Sequence, residues 1–305
     1  MSQLVAAVYE YDDGYGKPWV DAFSEGLVRH GVAVRNFDYH PRQVEPADMH
    51  IFWGMRSTKV IDYCHQQGQT LVCLDFGYTR DRADFASINL NYLNGKSELD
   101  VSEFSGDTSR CKMHGWEIQE RRNLGEKVIV VGQIYDDMSL DGTDVYGWAN
   151  FTIAKLEISG DRGNILFKPH PLEKPEAKDR LKGIRVPIFE GSMTDAFNLA
   201  KIFHTYSSTC GPEAWLNGLP ATAASPVSMI YKDQFKPSTH ANRQAWLNAI
   251  SFRQFSKAEM RSGMVWELLG KRIIGKAPRG STYASLVRRP GVQQGGGMTL
   301  DTAHQ

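Results

Sequence analysis

Two apolar runs far apart in the chain, residues 4–9 and the segment Glu126-Lys-Val-Ile-Val-Val-Gly-Gln133, constrain the fold more than any other feature. Each is long enough for a buried strand and too short for a helix, and each opens a series in which apolar runs alternate with segments of helical period. In the first series, residues 4–9 lead into the polar loop Glu10-Tyr-Asp-Asp-Gly-Tyr-Gly16. A helix then opens at Pro18, carries Trp19, Phe23, Leu27 and Val28, and stops at Gly31. Residues 32–37, 49–53 and 70–74 read as further strands, with a helix over 57–67 ended by Gly68. The stretch 78–125 is polar and reads as irregular, with the connection between units in its later part. The second series continues with a helix over 146–158, a strand over 164–168, a segment at 185–190, a helix over 193–202 and a strand over 202–206. A helix over 212–217 and a strand near 220–224 complete it.

Two successive series of this kind predict an α/β protein of two Rossmann-like, doubly wound units facing a cleft. The units are expected at residues 1–120 and 121–275, the second ending in C-terminal helices between Trp246 and Leu269. Residues 276–305, rich in Gly, Arg and Gln without periodicity, read as a flexible tail. The 305-residue length agrees with two domains of about 100–150 residues.

Composition narrows the class. Hydrophobic residues at 41% and charged ones at 23% are ordinary for a globular chain with a sizeable core, and 35 basic residues balance 35 acidic ones. No overall positive field therefore points to nucleic acid or an anionic membrane, although a local basic groove remains compatible. The N-terminus has no basic region ahead of an apolar core, and no apolar run reaches the roughly 18 residues of a membrane span, so a cytoplasmic protein without integral membrane contact is expected. The four cysteines, Cys64, Cys73, Cys111 and Cys210, lack CxxC spacing, and the histidines lack HxxxH or HExxH spacing; no metal site is expected.

Two motifs carry chemistry. Ile165-Leu-Phe-Lys-Pro-His-Pro171 ends a strand in Lys168 and His170, stiffened by two prolines, at the sheet edge where open α/β folds bind ligands. Tyr206-Ser-Ser-Thr-Cys-Gly-Pro-Glu213 reads as a hydroxyl-rich turn before a helix opened by Pro212, so that Ser207, Ser208, Thr209 and Gly211 can meet an anion. Gly132 and Gln133, closing the 126–133 run, are further candidate donor contacts. Each motif also has a plainer reading: a strand end turning into a loop, an N-cap turn, and, for Asp136-Asp137, an ordinary turn.

These segments resemble the nucleotide-binding domain of GT-B glycosyltransferases. More narrowly, they are similar to the capsule-polysaccharide and Kdo-transferase group and to bacterial sialyltransferases, which carry an HP motif and a Ser-Ser motif, here His170-Pro171 and Ser207-Ser208. Gly211-Pro-Glu-Ala-Trp-Leu-Asn-Gly-Leu-Pro220 is similar to the GT-B pattern of a glutamate, a short helix and Gly-x-Pro, which implies that Glu213 bonds the ribose hydroxyls. Leu74-Asp-Phe-Gly-Tyr-Thr-Arg80 resembles the acidic-Gly-aromatic-x-Arg segment of the capsule transferases. That resemblance places their acid on Asp75, with Phe76 where a second acid usually stands and Arg80 on the acceptor side. Residues 243–256 and 259–269 are similar to C-terminal regions of phage-encoded relatives.

The resemblance implies a sugar transferred from a nucleotide donor, a UDP- or CMP-sugar, to an acceptor hydroxyl, with no cofactor and no metal. The chain has no Asp-x-Asp triplet, the metal signature of the GT-A class. Lys168 and His170 would face the leaving phosphate together with the hydroxyls, and Asp75 would be the general base. Asp12, Asp13 and Glu10 in the first loop compete for that role, and Asp75 can equally cap a turn. Two acceptors fit: a hydroxymethylated base in phage DNA, or a glycan. An idle GT-B-like nucleotide- or glycan-binding module is the alternative, and a sugar-nucleotide epimerase of the same architecture is a third reading.

Overall fold

The computed structural model describes residues 3–10, 15–55, 57–79, 83–120, 125–173, 177–231 and 240–274. Asp12, Asp13, Arg80 and the 276–305 segment lie outside them.

The first unit begins with β1 (Val5–Glu10), α1 (Lys17–Arg29), β2 (Ala33–Asp38), β3 (Met49–Trp53), α2 (Thr58–Gln67) and β4 (Thr70–Phe76). The four strands are parallel in the order β4-β3-β1-β2, so the carboxyl ends of β1, β3 and β4 share one edge. Pro18 stands in the first turn of α1, where a missing N–H costs no hydrogen bond, and the helix buries Trp19, Val20, Phe23 and Leu27 against the sheet. Val28, read above as part of that face, is 58% exposed. Gly68, with φ +65°, ends α2 in the left-handed conformation that glycine adopts without strain.

β5 (Ala86–Leu90) follows, antiparallel to β4 and buried at every position. It falls inside the stretch read as irregular. Its polar residues are buried because they are paired: Asn89 donates to Ser87 Oγ at 3.0 Å, and its Oδ1 accepts from Arg253 Nη2 at 2.6 Å and from Tyr78 OH at 3.1 Å. A short helix, α3 (Ser109–His114), leads towards the second unit.

The second unit contains β6 (Lys127–Val131), α4 (Val145–Leu156), β7 (Ile165–Lys168), α5 (Lys178–Leu181), α6 (Met193–Leu199), β8 (Ala200–Thr205), α7 (Cys210–Leu216) and β9 (Ala221–Ala223). Its strands form a parallel sheet in the order β7-β6-β8-β9. A capping box of Ser192 and Asp195 starts α6, and the chain turns directly into β8 at Ala200, earlier than the periodicity suggests. α7 likewise opens at Cys210, two residues before Pro212.

The chain then returns to the first unit. α8 (His240–Ser251), β10 (Gln254–Phe255), α9 (Lys257–Ser262) and α10 (Met264–Ile273) follow, and β10 pairs antiparallel with β5, giving the six-stranded order β10-β5-β4-β3-β1-β2. α9 and α10 pack on α1, where a Cβ at Gly26 would stand 2.0 Å from the Met260 carbonyl oxygen. Residues 254–274, placed by sequence in the second unit, thus join and cover the first sheet, while α8 also packs on the second unit, its Trp246 ring 5.3 Å from that of Trp215. Buried Arg110 anchors them: it pairs with Glu259 at 2.9 Å, donates to the Ser251 and Gln254 carbonyls, and lies 4.4 Å from the centre of the Phe255 ring. Among the described residues, no helix is long and apolar enough to cross a membrane.

Candidate functional site

A narrow cleft opens where the two sheets face each other. Asp75, Phe76, Gly77, Tyr78 and Asn94 line it from the first unit, and Ser207, Thr209, Pro212, Val227 and Met229 from the second. It lies at the carboxyl ends of β4 and β8, the edge at which open α/β sheets bind ligands. The structure therefore brings Asp75 together with Ser207 and Thr209, residues far apart in sequence.

Asp75 is the penultimate residue of β4 and is half-buried. Its Oδ1 accepts the Phe76 N–H at 2.8 Å, and its backbone carbonyl accepts Ser87 Oγ at 3.2 Å. The Phe76 bond orients the carboxylate at the strand end. The turn beyond it is stiff: Gly77 N–H donates to the Phe85 carbonyl at 2.9 Å, and Tyr78 N–H to Gln254 Oε1 at 2.8 Å. A strand from near the C-terminus thus helps to fix the Asp75 turn. Glu10, a competing base, is paired with Lys17 at 2.6 Å. The other competitors, Asp12 and Asp13, and the acceptor-side Arg80 lie outside the described residues.

On the opposite wall, Ser207 is held by Gln133. The Ser207 N–H donates to Gln133 Oε1 at 3.0 Å, and Gln133 Nε2 donates to Ser207 Oγ at 2.9 Å and to Ser139 Oγ at 2.7 Å. Ser207 Oγ is placed to donate to the Ser139 carbonyl at 2.9 Å. Asp137 accepts both the N–H and the hydroxyl of Ser139, so the Asp136-Asp137 pair makes a turn, as its plainer reading has it, and also supports this network. Gln133 thus meets the cleft through Ser207. Ser208 is buried, with its Oγ accepting the Cys210 N–H at 3.3 Å, and Thr209 precedes the first turn of α7.

The remaining candidates do not line this cleft. The Lys168 ammonium donates to the Gly191 carbonyl and lies 5.4 Å from the centre of the Phe189 ring, so it fastens β7 to the 185–191 segment. His170 is half-buried just beyond β7, and its Nδ1 accepts the Leu172 N–H at 3.1 Å, which leaves Nε2 as the protonated nitrogen of the neutral ring. Gly132 and Gly211 are packing positions: a Cβ would stand 2.8 Å from Phe167 at the first and 2.8 Å from Ile230 at the second. Glu213 is half-buried in α7, its N–H donating to the Thr209 carbonyl at 3.0 Å.

Sequence reasoning missed an aromatic rim beside Asp75. Tyr15 lies 4.9 Å from Phe76 and 6.1 Å from Trp53, and Trp53 lies 5.4 Å from Phe76, as ring-centre distances. The one local signal was Phe76 standing where the resembled segment has an acid.

No family model and no curated protein matches the sequence. The fold is similar to that of Thermosulfurimonas dismutans KpsC, beta Kdo 2,4 transferase, with a TM-score of 0.51 over 88% of this chain and 99% of that one, at 14% identity. Other solved structures align with lower scores. T. dismutans KpsC, beta Kdo 2,7 transferase, gives 0.47 at 15% identity over 89% of this chain and 100% of that one. Methanocaldococcus jannaschii UDP-GlcNAc 2-epimerase gives 0.34 at 10% identity over 88% and 100%. At these identities the likeness concerns architecture, and the chain has a GT-B fold: two Rossmann-like α/β units, with helices at its C-terminal end.

Proposed function

We propose that the protein is a glycosyltransferase that moves a sugar from a nucleotide-activated donor to an acceptor hydroxyl in the cleft. One observation carries this reading: a carboxylate from the first sheet, Asp75, and the Ser207–Thr209 turn of the second line the same cleft at the strand ends. In the proposed reaction the acceptor oxygen bonds to the anomeric carbon as Asp75 takes its proton. The bond from that carbon to the donor phosphate breaks with its electron pair, and the nucleotide leaves. Ser207 and Thr209 receive the leaving phosphate in the cleft, and the donor extends beyond the cleft lining towards Ser208, His170 and Glu213, to which we assign the rest of the phosphate and the ribose. Lys168, engaged by Gly191, holds the β7 end in place instead of touching the donor. A base held by its neighbours on one wall and hydroxyls held by Gln133 on the other supply the preorganisation that transfer requires. The transfer we propose is metal-independent.

The test is a thermal-shift screen with CMP-, UDP-, GDP- and dTDP-sugars, followed by turnover with the donor that binds, with and without EDTA. One nucleotide family should raise the melting temperature, and EDTA should leave turnover intact. No shift with any of the four would overturn the reading. Donor binding without turnover on any acceptor would favour the idle-module alternative.

A further inference from the structure

We propose that Tyr15, Trp53 and Phe76 form the acceptor subsite of the cleft and that the acceptor is a carbohydrate, one face of whose pyranose ring stacks on Tyr15 and Phe76. The inference rests on the transfer reading for the role of Asp75, and names the substrate class that this wall of the cleft recognises.

The rings come from three separate segments, the turn before α1, the end of β3 and the end of β4, and meet at one sheet edge. Phe76 lines the cleft beside Asp75, and Tyr15, 45% exposed, carries the aromatic surface outward from it. Trp53 backs both. It also lies 6.2 Å from buried Trp19 in a stacked arrangement, which ties the rim to the core. Gly16 lets the turn carrying Tyr15 lie against that indole, since a Cβ there would stand 2.5 Å from Trp53 Cγ. The rim is therefore a rigid, half-open aromatic surface continuous with the base.

A pyranose presents a face of C–H groups ringed by hydroxyls. The C–H face matches the negative face of an aromatic ring, and the hydroxyls are donors for carboxylates. Both partners occur here: Asp75 lies next to Phe76, and Glu10 ends β1 two strands away, about 10 Å at the usual strand spacing. A nucleobase can also stack on such rings, and the oligothymidylate arm of the test separates the two ligands. Among the described residues beside the rings, Lys17 pairs with Glu10 and Asp21, and Lys257 lies 4.4 Å from the centre of the Trp19 ring.

The test is saturation-transfer NMR on the full-length protein. The probes are methyl pyranosides of glucose, galactose, N-acetylglucosamine and Kdo, with a short oligothymidylate as the competing ligand. UDP and CMP are titrated into the same samples to report the donor side. At least one pyranoside should receive saturation on its C–H face. Tyr15→Ala should lower that signal about tenfold, Tyr15→Phe should retain it, and nucleotide binding should be the same in all three proteins. Equal pyranoside signals in wild type and Tyr15→Ala, or no pyranoside signal at all, would overturn the inference, as would oligothymidylate binding that depends on Tyr15 when pyranosides do not bind. Absence of nucleotide binding in the wild type strikes the transfer reading instead, and is read from a separate signal.

Discussion

The wall of the cleft built from Gln133, Ser139 and Ser207 is a closed set of hydrogen bonds, while the facing wall is a single oriented carboxylate beside a cluster of aromatic rings. The first kind of wall places N–H and hydroxyl groups accurately but depends on every member of the network, because a buried polar group left alone costs about 1–3 kcal/mol. The second tolerates change at its rim, where half-exposed side chains contribute little to folding. The contrast suits two ligands of different demands. On the transfer we propose, a donor phosphate would be met by fixed dipoles, and an acceptor sugar by shape and by one proton acceptor.

The largest effect that can break this comparison is at Asp75. Asp75→Asn should lower turnover by about 10²–10⁴-fold while donor affinity and melting temperature stay near wild type, because only the proton acceptor is lost. Steady-state kinetics with a donor titration would check this, and near-normal turnover would move the base to Glu10, Asp12 or Asp13.

Acid should act on the donor wall. His204, on β8 just before the Ser207 turn, is held neutral by burial, which lowers its imidazole from 6.5 to about 4, and its Nδ1 lies 2.8 Å from Thr222 Oγ1. The unfolded chain binds a proton there below about 6.5 and the folded one only near 4, so this contribution is complete above 6.5 and is lost as the pH falls towards 4. At most it amounts to about 3 kcal/mol. His50 in the first sheet is also lowered by burial, so it acts in the same direction. Denaturant titrations across pH should show a shallower loss in His204→Asn than in wild type, and identical slopes would remove His204 from the account.

Gln133→Ala should cost about 1–3 kcal/mol of stability and weaken donor binding, since the Ser207 N–H loses its acceptor and the Ser139 hydroxyl loses one of its partners, keeping Asp137. Tyr15→Ala on the other wall should stay within about 0.5 kcal/mol, as half-exposed positions usually do. Equal costs in urea titrations would show that the two walls are not built differently.

The smallest expected effect concerns what joins the walls. Lys96 of the first unit pairs with Asp141 of the second at 2.7 Å, each about one-fifth exposed, while Gly95 donates to the Val227 carbonyl. A double-mutant cycle on Lys96 and Asp141 should give a coupling of about 1 kcal/mol or less that shrinks in high salt. A coupling insensitive to salt would show that the pair is better shielded than its exposure indicates.

Legibility differed in the same way between the walls. The donor wall could be read in part because Gln133 and Ser207 fall in two short segments, 126–133 and 206–213, whose apolar run and hydroxyl-rich turn are local patterns, whereas Ser139 carries no such signal. The ammonium of Lys168 could not be assigned in this way: the carbonyl that captures it belongs to Gly191, and nothing near residue 168 signals that partner. The rim was illegible as a unit. Tyr15, Trp53 and Phe76 have no common motif, and only parallel pairing of β1, β3 and β4 carries them to one edge.

By itself the sequence determined the strands with continuous apolar runs, the helices marked by Pro18 and Gly68, and the two-unit α/β order, because these depend on neighbours within a few residues. Only the tertiary structure decided that 86–90 is a buried strand and that residues 254–274 return to the first sheet. The physical reason is the same in both cases. Asn89 is held in the core in part by distant Arg253, and β10 has a partner only once β5 exists, so each element depends on a contact that no local pattern encodes.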